Sequence, residues 1–152
     1  MKKILIAAAL VVSSSAFAVD LGVYGGYGKG TNGYSQDMAG VSAGQKFGSF
    51  GVQGTFDRST SNVTNVNRYT VTGSYDVFKL GSIQTNVRAG VAYLDPQSSK
   101  LSNGGAALIG AGISYPVTKQ VSLVADYAYQ RGNNITKNYN GNIVTAGAKY
   151  SF

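Results

Sequence analysis

The chain has 152 residues, with 13 Lys+Arg against 6 Asp+Glu and no His, Cys or Trp. The missing His and Cys exclude a Ser-His-Asp triad, a thiolate nucleophile, a disulfide and most zinc sites. Gly, at 21 residues, is about twice its usual share of ~7%, and Glu is absent, which suits no helical bundle; 43% apolar residues suit no disordered tail.

The first element in chain order is an address. Met1-Lys2-Lys3 is basic, Ile4 to Val12 is a run of nine apolar residues, and Ala16-Phe17-Ala18 is an A-x-A cleavage site. Together these predict a cleaved signal peptide over residues 1–18. Nine apolar residues fall well short of the ~20 a spanning helix needs. The mature domain then covers residues 19–152, exported across a bacterial inner membrane.

Eight segments of period-2 alternation follow: Val19–Gly28, Met38–Phe47, Phe50–Asp57, Asn67–Val77, Ile83–Leu94, Ala106–Tyr115, Gln120–Gln130 and Asn142–Phe152. The gaps alternate in character. Gly48-Ser49, Phe78–Ser82 and Pro116–Lys119 are tight, whereas Lys29–Asp37 and Arg131–Gly141 are longer and polar. Short turns on one side and longer loops on the other predict an up-and-down meander. The glycine run Gly25-Gly26-Tyr27-Gly28-Lys29-Gly30 reads as a strand exit, since no Ser or Thr follows its Lys and no helix follows it.

The two faces of these segments differ. One carries Leu21, Val23, Val41, Val52, Val71, Val87, Val91, Ile109, Ile113, Leu123 and Val144 and no charged residue. Aromatics (Tyr27, Phe47, Phe50, Phe56, Tyr69, Tyr93, Tyr115, Tyr129, Tyr150, Phe152) gather near its ends, where interfacial girdles belong. The other face is rich in Gly, Ser and Thr and sparse in charge, which suits a narrow lumen. A soluble barrel around an apolar ligand would reverse the faces. Aromatic girdles and a small-residue interior favour the membrane instead. The expected fold is therefore all-β: an eight-stranded antiparallel up-and-down transmembrane β-barrel, preceded by the signal peptide.

An eight-stranded interior is just wide enough for side chains to fill it. The inward charges are Asp20, Lys46, Asp57, Arg68, Asp76, Arg88, Asp126 and Lys149, four of each sign. Running alternate strands up and down places Asp57 beside Arg68 high in the barrel and Arg88 near Asp126 in its middle to upper part. Asp20, Lys46, Asp76 and Lys149 fall near the periplasmic end. Buried charges must pair or they cost several kcal/mol each. Beside Gly22, Gly44, Gly51, Gly90, Gly110, Gly112 and Gly147, this neutral network reads as a packed polar plug.

The last strand ends with Thr145, Gly147, Tyr150 and Phe152 in the polar–Gly–aromatic–aromatic pattern of a barrel assembly signal, with Tyr150 and Phe152 on one face. With this motif the chain resembles the small eight-stranded outer-membrane proteins of the OmpA-transmembrane and OmpX type. The resemblance covers the mature residues as a pattern and is specific only at the C-terminal motif. It implies the outer membrane of a Gram-negative cell, and periplasmic chaperones and the barrel-insertion machinery as partners during assembly. The chain stops at Phe152, so a peptidoglycan-binding domain is not expected. The short outer loops carry over no adhesive function.

Lys29, Arg58, Lys100, Arg131 and Lys137 lie on the outer side, and the lipopolysaccharide phosphates there favour Arg and Lys. The expected role is structural and surface-interacting: a monomer in contact with lipid and lipopolysaccharide, without enzymatic activity, cofactor, metal or nucleic acid. The rival is a narrow ion pore, or a carrier of a small hydrophobic molecule.

Overall fold

The computed structural model describes residues 19–31, 33–61, 64–98, 102–133 and 139–152; the expected signal peptide, 1–18, lies outside them. Eight strands run in chain order: β1 (Val19–Gly30), β2 (Ser35–Phe47), β3 (Phe50–Ser61), β4 (Val66–Leu80), β5 (Ile83–Pro96), β6 (Gly104–Pro116), β7 (Val121–Gly132) and β8 (Gly141–Ser151). Each pairs antiparallel with its sequence neighbour, and β1 pairs with β8 to close the barrel. Closure satisfies every sheet edge, the condition for a β-structure to stand in hydrocarbon.

All eight expected segments are strands, and most run further toward the loop end than the alternation indicated. The ladder between β1 and β2 continues to Lys29 opposite Ser35, and that between β2 and β3 to Gln36 opposite Ser61. The connections there shrink to 31–34, 62–65, 97–103 and 133–140. Polar Ser, Thr and Asn runs break the hydrophobic pattern but not the backbone pairing, which needs no apolar side chain. The Gly25–Gly30 run lies within β1, paired on both sides.

Two turns at the other end share one chemistry. Gly48-Ser49 and Gly81-Ser82 are two-residue hairpins, and Gly48 and Gly81 take positive φ values of 64° and 60°. A glycine at the first central position lets the turn match the strand twist. The expected turn over Phe78–Ser82 narrows to Gly81-Ser82 because a bulge between Asp76 and Phe78 lets β4 continue to Leu80. The third turn is held by Thr118 Oγ1, which accepts from the backbone N–H groups of Gln120 and Val121.

The large apolar side chains of the uncharged face point outward, with Ile109 66% exposed. Facing inward are Gly, Ser, Thr and the charges. Water on the outside would leave this apolar band unburied, so hydrocarbon is its solvent.

Candidate functional site: the barrel interior

The eight inward charges meet as four ion pairs. Near the turn end Lys149 Nζ lies 2.9 Å from Asp20 Oδ2, and Lys46 Nζ lies 2.5 Å from Asp76 Oδ2. Ser151 also donates to Asp20. Above them Arg88 Nη2 lies 2.8 Å from Asp126 Oδ1, and higher still Arg68 Nε lies 3.0 Å from Asp57 Oδ2. Each pair joins different strands, so each tier is neutral and cross-braced.

The three lower pairs are all partly exposed, at 39% and 16% for Lys46 and Asp76, 18% and 11% for Lys149 and Asp20, and 20% and 17% for Arg88 and Asp126, and exposure drops to 7% and 0% at Arg68 and Asp57. Solvent therefore enters from the turn end and stops at one tier. Tyr24, Gly40, Asp57 and Arg68 stand opposite one another on four consecutive strands. Tyr24 OH donates to Asp57 Oδ2 across Gly40, at 2.9 Å. A Cβ at Gly40 would lie 2.7 Å from the Tyr24 ring and 2.6 Å from Asp57 Cβ, so only glycine leaves room for the contact. Arg68 also donates to Gln130 Oε1 (3.3 Å) and contacts Met38 Sδ (3.2 Å), spanning the lumen to β7 and β2.

Above this tier an apolar cluster fills the interior, with Gln36 and Ser59 buried beside it and hydrogen-bonded to Tyr34 and the Val66 carbonyl. Tyr34, Val66, Ala92, Leu94, Ala106 and Tyr139 form a buried cluster, with Val66 1% exposed. The rings of Tyr34 and Tyr139 meet edge to face with centroids 5.2 Å apart. Gln130 Nε2 ties the cap to the tier below by donating to the Tyr139 carbonyl at 3.0 Å. Burial raises both phenols, that of Tyr139 to about 12, with Tyr34 nearby adding to the shift.

Below the tier the lumen opens into a cavity of about 140 Å3. The interior is thus tightly filled only in its loop-end half, whereas the sequence suggested one polar plug throughout. The charges were legible by phase and strand height. Tyr24, Met38, Gln130 and the apolar cap were not singled out. Tyr24 and Leu94 carried a signal nonetheless, as large apolar residues on the face otherwise filled by small and polar ones.

Residues expected to act outside the lumen are placed as follows. Lys29, Arg58 and Arg131 are exposed on the outer surface, and Lys100 and Lys137 lie outside the described residues. Tyr150 and Phe152 point outward with ring centroids 4.8 Å apart. Thr145 lines the cavity, and Gly147 stands opposite Tyr24, where a Cβ would lie 2.7 Å from that of the tyrosine. Among the described residues no group of acids could hold a metal ion.

A closed antiparallel barrel with an apolar exterior, aromatic belts and a polar lumen defines a membrane-spanning β-barrel of the outer-membrane type. The Gram-negative porin family profile matches residues 7–135, and the chain belongs to that family. Its fold is similar to the N-terminal β-barrel domain of Pseudomonas aeruginosa OprF (TM-score 0.72, 19% identity, 89% of this chain and 97% of that one). It is also similar to Neisserial surface protein A (0.64, 20%, 91% and 98%) and to Ail, the attachment invasion locus protein of Yersinia pestis (0.54, 16%, 90% and 97%). No curated protein matches the chain in sequence.

Proposed function

We propose that the chain is a monomeric structural and surface-interaction protein of the outer membrane, closed to through-flow and seated against lipopolysaccharide. The observation that carries this reading is the burial of Asp57, Val66 and Gln130 at the loop end of the lumen. Aqueous channels belong to barrels of about 16–18 strands, so membership of a porin family does not by itself require one. Short periplasmic turns and longer outer loops are the rule for such barrels. By that rule the termini and the Gly48, Gly81 and Thr118 turns face the periplasm.

The basic belt supports the lipopolysaccharide contact. Lys29, Arg58 and Arg131 each follow an outward aromatic by two residues: Tyr27, Phe56 and Tyr129. Alternate residues share a face, so each cation stands about 7 Å beyond the girdle on the same side. That is headgroup depth, where phosphate oxygens accept charge-assisted hydrogen bonds. Asp37 and Asp95, also outward near this level, leave the belt mixed in sign. The aromatic pair Tyr150–Phe152 serves assembly, presented to chaperones and the insertion machinery before β8 closes on β1.

Replacing Lys29, Arg58, Lys100, Arg131 and Lys137 together by Ser is the test. Weaker lipopolysaccharide binding and lower heat stability in its presence support the contact, and unchanged values discard it. Planar-bilayer recording addresses the rival: steady single-channel conductance of the unmodified barrel makes it a narrow pore.

A further inference from the structure

The outward charges at the loop end can be accounted for one by one. The chain has six acids, all Asp, and four of them are engaged inside the lumen by Lys149, Lys46, Arg88 and Arg68. Only Asp37 on β2 and Asp95 on β5 remain to face the outer cations.

Strand register sets what lies between those cations. Lys29 on β1 stands opposite Asn142 on β8, and Asn142 opposite Tyr129 on β7. Arg131 follows Tyr129 by two residues toward the loops, a rise that the tilt of barrel strands turns into one level. In the other direction Lys29 stands opposite Ser35, two residues from Asp37, and Asp37 opposite Thr60, two from Arg58. The exposed row therefore reads Arg131, Asn142, Lys29, Asp37, Arg58 over five consecutive strands of the closed barrel.

The two halves of this row differ at their centres. Each holds two cations two strands apart, about 10 Å at the backbone from a strand spacing of ~4.8 Å. Between Lys29 and Arg58 stands a carboxylate, which repels an anion. Between Lys29 and Arg131 stands an amide whose Oδ1 already accepts from Tyr127 OH at 2.6 Å. That bond orients the amide and leaves its N–H groups to donate. Arg131, Asn142 and Lys29 thus present three donors and two positive charges, with Tyr27, Tyr129 and Val144 exposed on the wall beneath them. A phosphate carried on apolar chains fits both parts, since its oxygens accept several charge-assisted hydrogen bonds.

We propose that Arg131, Asn142 and Lys29 form a discrete site for one phosphate of the lipopolysaccharide lipid anchor, whose acyl chains lie over Tyr27, Tyr129 and Val144. This rests on the lipopolysaccharide contact proposed above and narrows it from a belt to one sector. Arg58, with Asp37 beside it, lies outside the site.

The test is a titration of lipopolysaccharide into the folded full chain in detergent, read as the rise in the thermal midpoint of heat-modifiable gel migration. Asn142→Asp keeps the acceptor for Tyr127 and copies the carboxylate of the other half. It should weaken binding at least about tenfold, the equivalent of one lost hydrogen bond to a charged group. Lys29→Ser combined with Arg131→Ser should do the same, and Arg58→Ser should leave binding unchanged. Asp37→Asn, which gives the second half an amide centre, should strengthen it. No loss in Asn142→Asp, or an equal loss in Arg58→Ser, overturns the site. If the five-residue Ser variant still binds more weakly in that case, the belt holds lipopolysaccharide diffusely; if it too is unchanged, the broader reading falls as well. Phosphatidylglycerol and inorganic phosphate are titrated in parallel, and an equal rise with either overturns lipopolysaccharide as the ligand.

Discussion

Tyr24 and Asp57 lie two strands apart and are joined by a 2.9 Å hydrogen bond across the bare backbone of Gly40. Arg68 donates to the same carboxylate oxygen from the other side. One oxygen thus joins β1, β3 and β4, and through Arg68 the tie extends to β2 and β7. This tier separates the open, partly exposed half of the lumen from the closely filled one.

Asp57→Ala leaves the Arg68 guanidinium buried without its partner. Loss of one member of a buried pair costs about 3–5 kcal/mol. Lys46→Ala, at the exposed mouth, should cost less than about 1 kcal/mol. Urea unfolding in lipid vesicles, read by heat-modifiable gel migration, should separate the two variants clearly; equal midpoints would contradict the gradient.

Gly40→Ala puts a methyl into the Tyr24 ring, Asp57 Cβ and the Phe56 carbonyl, each within 2.7 Å of the new carbon. A destabilisation of about 1–3 kcal/mol is expected from such overpacking. Gly54→Ala, whose new carbon would approach nothing nearer than the Ala43 carbonyl at 3.9 Å, is the neutral control. If the two variants unfold at the same urea concentration, the close passage of Tyr24 over Gly40 is wrong.

Tyr139 is an acid whose folded pKa, at about 12, lies above the ordinary phenol value of 10.0. Between those values the folded state holds a proton that the unfolded state releases, so stability falls as pH rises from about 10 toward 12. Below pH 10 this contribution does not vary. Tyr139→Phe removes that share of the alkaline slope. It also removes a buried hydroxyl with no hydrogen-bond partner, so at neutral pH the variant should be as stable as the parent or more so. Unfolding midpoints at pH 8 and pH 11 for parent and variant check both statements.

Val87 and Ile109 stand on the outer face near mid-height, both well exposed. Lys at either position should destabilise the barrel by about 2–4 kcal/mol in a bilayer. A spin label there should be relaxed by oxygen and not by a water-soluble metal complex. The reverse pattern would mean that water or protein, and not lipid, covers this face.

Much of this was written into the order of the residues. Period-2 alternation marked all eight strands, the uncharged face marked its solvent, and strand phase with height set Asp57 beside Arg68, because those properties depend on neighbours one or two residues apart. Strand ends beyond Gly28 or before Met38 were hidden, since polar residues pair through a backbone that carries no side-chain pattern.

What lies across the lumen was decided only by closing the barrel. Gln130 reaches Arg68 from 62 positions away along the chain, and Tyr34, between β1 and β2, meets Tyr139, between β7 and β8. Curvature brings such residues together, and no local periodicity records it. The split into a closely filled cap and an open lower lumen follows from how side chains of different volume share one narrow cylinder. That is a sum over eight strands at each height, which no single stretch of sequence contains.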